Sequence, residues 1–285
     1  MANEKDLEKL KKSVDNWNYW RKTHPKVIPD LSEANLSSTI LNEVNFKNVN
    51  LSGAQLCKAD LISADLSNAN LSGANLFQAS LVQAKLSKAN LCDTNLNNAN
   101  LSEANLTRAN LRDTNLSEAN LVRAKLVEAN FSNTNFDGSD LHGADVSRAN
   151  FAYSNLSKVD MSETNLSEAN LREANLTGSE FGKAILKEAD LFKANLNKAN
   201  LSEANLQEAN LIKANLSEVN FSQEDLSGAN LTEAIIQETN FTEAKLIAAN
   251  LKHTILCANF THADLSGTDL TEADVTEANF NHATL

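Results

Sequence analysis

The chain has 285 residues, 42% of them hydrophobic and 22% charged, with a net charge of −12. That composition excludes a disordered, charge-swollen chain and argues against a nucleic-acid-binding surface. Eight Gly and two Pro are too few to punctuate an α/β domain of this length, and no run approaches the ~18 apolar residues of a membrane span. The N-terminus has no apolar leader core, and the three Cys are widely spaced, which together predict a cytoplasmic chain without disulfides or a thiolate metal site.

In chain order, residues 1–28 come first and do not repeat. Leu7, Leu10, Val14, Trp17 and Trp20 recur at helical spacing and predict one amphipathic helix, opened by Asn3 with Asp6 and stopped by Pro25. Residues 1–30 carry seven Lys/Arg against five Asp/Glu, a net of +2, too weak for a membrane-surface helix. The stripe is therefore expected to lie on whatever follows it as a cap.

From Leu31 onward every fifth residue is apolar, through 46 consecutive repeats to Leu256. The frame then slips by one residue and resumes at Phe260 for six more, ending on Leu285. Two residues before nearly all of these 52 positions comes a small residue, Ala in 35 cases. Asn or Asp mostly sits between them, as in Ala74-Asn75-Leu76. A helix advances ~100° per residue, so a five-residue step overshoots one turn by ~140° and no helical face collects the Leu positions. In extended backbone, residues two apart share a side. Ala and Leu then point inward together, Asn points out, and a corner must follow each Leu. Short extended sides joined by regular corners make a solenoid. Phe221 and Phe241 lie 20 residues apart, as do Phe260 and Phe280, which suggests four sides per coil with like stacked on like. The slip near Cys257 is expected to shorten a corner without removing a repeat.

These runs of Ala-(Asp/Asn)-Leu-x-x over residues 29–285 resemble the pentapeptide repeat proteins. The resemblance implies an all-β solenoid, a right-handed quadrilateral parallel β-helix of about 13 coils. Thirteen coils at the ~4.8 Å spacing of paired strands would make a rod roughly 60 Å long. The expected organisation is an N-terminal helical cap over residues 1–28 and a pentapeptide-repeat β-helix over 29–285.

The exceptions to the pattern mark candidate sites. Ile stands at the Asn position at 40, 185, 235 and 255, and Ile235 and Ile255 stack one coil apart. Phe192 with Ile212, and Ile62 with Val82, stack in the same way just after the core position. Stacked apolar residues on a polar face are candidate partner contacts. Glu224 occupies a small-residue core slot; it is expected either to turn outward at a local bulge or to form a buried site or partner contact. Leu285 is itself a core position, and with Phe280 it is the candidate end for a C-terminal homodimer, an association the resemblance also implies. Cys57, Cys92 and Cys257 each follow a core Leu on separate coils. His262 and His282 lie 20 apart, but two His without a third ligand make a poor metal site. No nucleophile–base arrangement or phosphate loop is visible, and a filled core leaves no substrate cavity.

The sequence thus predicts a chain that is not an enzyme, with no cofactor, no membrane contact and no direct nucleic-acid partner. It reads as a protein-interaction scaffold or regulator with an unidentified protein partner. The alternative is a DNA mimic that protects DNA gyrase, as the quinolone-resistance branch of the family does. Residues 31–285 carry 18 basic and 32 acidic residues, a net of −14, which favours it. Lys158, Lys183, Lys193, Lys198 and Lys213 interrupt the acids and weigh against it.

Overall fold

The computed structural model describes residues 2–285, and the five-residue unit explains most of it. In the repeat Ala74–Gln78, all the backbone N–H groups are partnered. Asn75 N donates to Ala54 O at 2.9 Å, Leu76 N to Asn95 O at 2.7 Å, and Gln78 N to Asn97 O at 3.1 Å, which ties each coil to the one before and the one after. Ala79 N closes the corner on Leu76 O at 2.9 Å. Ala74 N does the same on Leu71 O at 2.9 Å, and the remaining donor, Phe77 N, lies in the corner and bonds the Asn75 side-chain Oδ1 at 3.2 Å. A buried donor left unpaired costs on the order of 1–3 kcal/mol, which favours an Asn or Asp acceptor at this place in most repeats.

Asn does not simply face solvent, as the alternation alone suggests. Its Nδ2 reaches the residue 20 positions away: Asn90 to Asn70 at 3.0 Å, Asn95 to Asn75 at 3.1 Å, Asn215 to Asn195 at 3.0 Å. Half-buried Asn columns therefore run from coil to coil beside the backbone ladder. The ladder residues pair in parallel with partners 20 further on, as in Asn75↔Asn95, so a coil is four repeats long. The paired part of each side is a single residue. Extended segments this short stay below strand length, because the corner returns every fifth residue.

That corner has a left-handed residue two places after nearly every core side chain, Gln78 at φ 56° and Glu103 at φ 57°, for example. A hydrogen-bonded turn with φ above zero at its third residue is the type II requirement, which Gly meets most easily. Here Glu, Lys and Asn hold most of these places, and Gly only a few, such as Gly73 at φ 64°. Inside, Leu and Ala are almost wholly buried. Where Thr replaces Ala its hydroxyl bonds a core-residue carbonyl, usually of the preceding coil: Thr94 Oγ1 donates to Leu71 O at 2.9 Å and Thr164 Oγ1 to Leu141 O at 2.9 Å, while Thr254 Oγ1 donates within its own coil to Leu251 O at 2.6 Å.

The chain divides into two compact units, Met1–Asp140 and Leu141–Leu285. The first unit opens with two helices rather than the single one the stripe predicts: α1 (Glu4–Lys12) and α2 (Val14–Thr23). Ser13 separates them in extended conformation because its hydroxyl starts α2, accepting from Asn16 N. Asn3 starts α1, accepting from Lys5 N and Asp6 N.

Polar side chains of these helices stand where a preceding coil's backbone would be. Trp17, fully buried, donates Nε1–H to Asn45 O at 2.8 Å and meets Phe46 edge-on at 5.8 Å. Asn18 Oδ1 accepts Asn45 N at 2.7 Å, and Arg21 Nη2 donates to Lys47 O at 2.6 Å. Asp6 Oδ2 accepts Asp30 N at 3.2 Å.

The second unit contains the two segments long enough to count as strands, β1 (Ile235–Asn240) and β2 (Ile255–Asn259), paired in parallel. The register runs Gln237↔Cys257 and then Thr239↔Ala258, so Glu238 has no counterpart. The one-residue slip shortens a corner, as the sequence suggests, and the core does not lose step. Phe221, Phe241, Phe260 and Phe280 stack with ring centres 5.0, 4.8 and 5.0 Å apart, the spacing of paired strands.

Candidate functional site

What the molecule offers to a partner is set by its outward columns, since the interior is packed with side chains. Ile235 and Ile255 are register partners at the head of β1 and β2, 48% and 67% exposed. They replace ladder Asn residues, so an apolar pair stands where amide groups would otherwise be. Beside them lies a depression of about 310 Å³ lined by Glu233, Gln237 and His253 as well as the two Ile.

Phe192 and Ile212 lie on adjacent coils, with Lys193 N donating to Ile212 O at 2.9 Å, and both are half-buried. The Arg172 guanidinium covers the Phe192 ring at 4.2 Å from its centre, and Lys193 Nζ approaches it at 5.3 Å. Arg172 Nη1 also pairs with Asp190 at 3.0 Å. This cation–aromatic cluster is absent from the sequence reading, although Arg172 and Phe192 are 20 apart and the coil period carries that signal. Ile62 is 37% exposed. It adjoins the half-buried Val82, whose carbonyl accepts Ser63 N at 2.9 Å.

Glu224 does not turn outward. It is only 1% exposed and keeps its core slot, so it is unavailable as a surface contact. Burial raises its pKa to about 8. At the far end of the second unit, Phe280 is half-buried under Phe260 and Leu285 is 76% exposed.

The remaining titratable groups are distributed along the columns. His262 and His282 stack at 4.9 Å, and His253 Nδ1 lies 3.0 Å from Glu272 Oε2. Cys57, Cys92 and Cys257 are half-buried free thiols, and burial pushes the Cys92 thiol up. Among the described residues, no three His, Cys, Asp or Glu gather as a metal would require. No helix of the described residues is long and apolar enough to cross a membrane. Several opposite charges one coil apart pair: Arg108 with Glu128 at 2.7 Å, Lys198 with Glu218 at 3.6 Å, Lys213 with Glu233 at 3.3 Å. The acidic excess is thus broken by opposite charges rather than spread as one uniform field.

HetL, a pentapeptide repeat protein involved in heterocyst differentiation regulation from the cyanobacterium Nostoc sp. strain PCC 7120, is similar in structure. It is 31% identical with a TM-score of 0.52, over 79% of this chain and 94% of that one. Rfr23, a pentapeptide repeat protein from the cyanobacterium Cyanothece 51142, is 42% identical over 32% of this chain and 59% of that one, with a TM-score of 0.30. QnrB1, a plasmid-mediated fluoroquinolone resistance protein, is 18% identical over 83% of this chain and 91% of that one, with a TM-score of 0.29. No curated protein matches. The family profile described as pentapeptide repeats matches residues 30–56, 39–78, 74–113, 114–151, 144–182, 154–191, 184–223, 225–257 and 257–285. With that coverage, and the likeness to HetL, the chain belongs to the pentapeptide repeat family.

Proposed function

We propose that this protein is a non-catalytic scaffold or regulator that presents fixed polar columns, interrupted by apolar pairs, to a protein partner. In this reading the chain winds right-handed through about thirteen coils, residues 1–28 close the first coil as a cap, and residues 29–285 carry the binding faces. The observation that carries it is the Ile235–Ile255 pair: both side chains are exposed in a register that the ladder fixes, where most repeats place Asn or Asp. Leaving apolar surface in water forgoes about 25 cal/mol per Å² that a partner would recover. The likeness to HetL, itself involved in regulation, supports the same class of role.

The test is site-specific photocrosslinking in the source cells. A crosslinker at position 255, 212 or 62 is expected to give one discrete protein adduct, and a crosslinker at position 110, between Asn90 and Asn130 in an ordinary Asn column, to give none. Absence of an adduct at all three positions overturns the reading. A DNA mimic acting on gyrase is the competing reading, and the opposite-charge pairs within the columns weigh against it. It requires that the purified protein preserve gyrase supercoiling in the presence of a quinolone, an outcome the scaffold reading does not expect.

A further inference from the structure

Glu224 lies in a column whose neighbours, 20 residues to either side, are Ala204 and Ala244. Its carboxyl enters the seam between two successive coils of the second unit. Oε1 accepts the backbone N–H of Glu203, with Ala204 N–H as a further donor to the carboxyl. In the coil before, the equivalent donor Lys183 N bonds the backbone carbonyl Ser202 O at 3.0 Å. In the coil after, Gln223 N bonds Thr242 O at 2.9 Å. The Glu224 side chain has therefore taken over a coil-to-coil hydrogen bond that the backbone makes elsewhere. Its other oxygen, Oε2, is buried and has no partner.

The charges around it do not favour an anion. Glu203 faces it from the preceding coil with like sign. On its own coil, Gln223 is neutral and donates to Glu243 Oε2 at 2.9 Å. The Asp225 carboxylate is bonded to Gln207 and Ser227. Lys245, on the following coil, acts on Asp225.

We propose that Glu224 is a proton-controlled latch: as an uncharged acid it holds residues 201–205 against 221–225, and as a carboxylate it opens that seam. An ionised carboxyl with one buried oxygen unpaired and a like charge beside it is relieved only by swinging into water. Swinging out removes the bond to Glu203 N and bares the ladder groups of both coils. The direction with pH follows from linkage. The closed form keeps its proton to about pH 8, whereas an open, solvated Glu releases it near its ordinary value of 4.5. Opening therefore releases a proton between those limits. Its equilibrium constant rises about tenfold per pH unit from 4.5 to 8 and levels off above. The latch is shut in mild acid and progressively released toward neutral and alkaline pH.

Amide hydrogen exchange on the full chain tests this, with rates corrected for the intrinsic pH dependence of exchange. Peptides covering 199–206 and 219–227 are compared at pH about 5.5 and about 7.5. The wild-type opening constant there is expected to rise about a hundredfold between the two, while peptides covering 99–106 show no such rise. Glu224→Ala restores the small residue of the repeat and is expected to abolish the pH dependence. Glu224→Gln, which keeps the shape without the charge, is expected to do the same. A pH-independent opening constant in the wild type, or a rise that persists in Glu224→Ala, overturns the proposal.

Discussion

Asn75 and Leu76 carry different loads, and their substitutions separate them. Leu76 is fully buried, and Leu76→Ala is expected to cost about 2–5 kcal/mol, lost transfer energy plus the cavity left in a stack that cannot collapse. Asn75→Ala keeps the core but strands Phe77 N and removes the acceptor for Asn95 Nδ2, an expected loss of about 1–3 kcal/mol. Asn75→Asp retains the Oδ1 acceptor for both bonds and is expected to lie close to wild type. Urea titrations of the three variants decide it. An Asn75→Ala variant as stable as Asn75→Asp would show that the Asx bond contributes nothing. At this scale the Ala and Leu positions are legible in the sequence, because apolar spacing alone assigns them inward. The second duty of Asn is not, since alternation tells only which side a residue faces and not that a corner N–H needs its oxygen. Nor is the left-handed corner, because Glu103 and Lys198 adopt there a conformation for which Gly is the usual signal.

The N-terminal helices are the element whose existence the sequence predicts and whose interface it does not. The apolar stripe locates the segment, but the break at Ser13 comes from a hydroxyl that caps α2, and no periodicity reports that. The bonds of Asp6, Asn18 and Arg21 to the first coil carry no periodic signal, because they answer backbone groups that only the folded coil presents. Trp17→Ala tests how far their influence travels. It removes a fully buried indole and its bond to Asn45 O, an expected cost of about 3–5 kcal/mol. In a solenoid each coil touches only its neighbours, so the loss is expected to be local. Hydrogen exchange should quicken strongly over residues 30–50 and change little over 90–130. Equal acceleration of both segments would mean that the helices stabilise the first unit as a single cooperative block.

At the scale of the whole molecule the charged groups set a stability profile with two limbs of different origin. On the acid side, ladder aspartates are held below their ordinary range by bonds from the residues two places on. Asp269 is lowered to about 2, first by the Thr271 hydroxyl and then by Lys252. The Ser266 hydroxyl lowers Asp264, and Thr276 N lowers Asp274. A depressed folded pKa means stability that is present above the unfolded value of 3.8 and is lost as pH falls toward 2. On the other side Glu224 works in reverse. Its raised pKa means stability that is fully present below 4.5 and is lost as pH rises to about 8. The net charge of −12 at neutral pH adds self-repulsion that acidification relieves. The midpoint of urea unfolding is therefore expected to peak in the acid range, near pH 4, rather than at neutrality. It is best measured at low protein concentration because the isoelectric point is about 4.9. Asp269→Asn is expected to flatten the acid limb and Glu224→Ala the alkaline limb, each leaving the other in place. A wild-type maximum near pH 7 that neither substitution moves would show that these two kinds of carboxyl do not govern the profile.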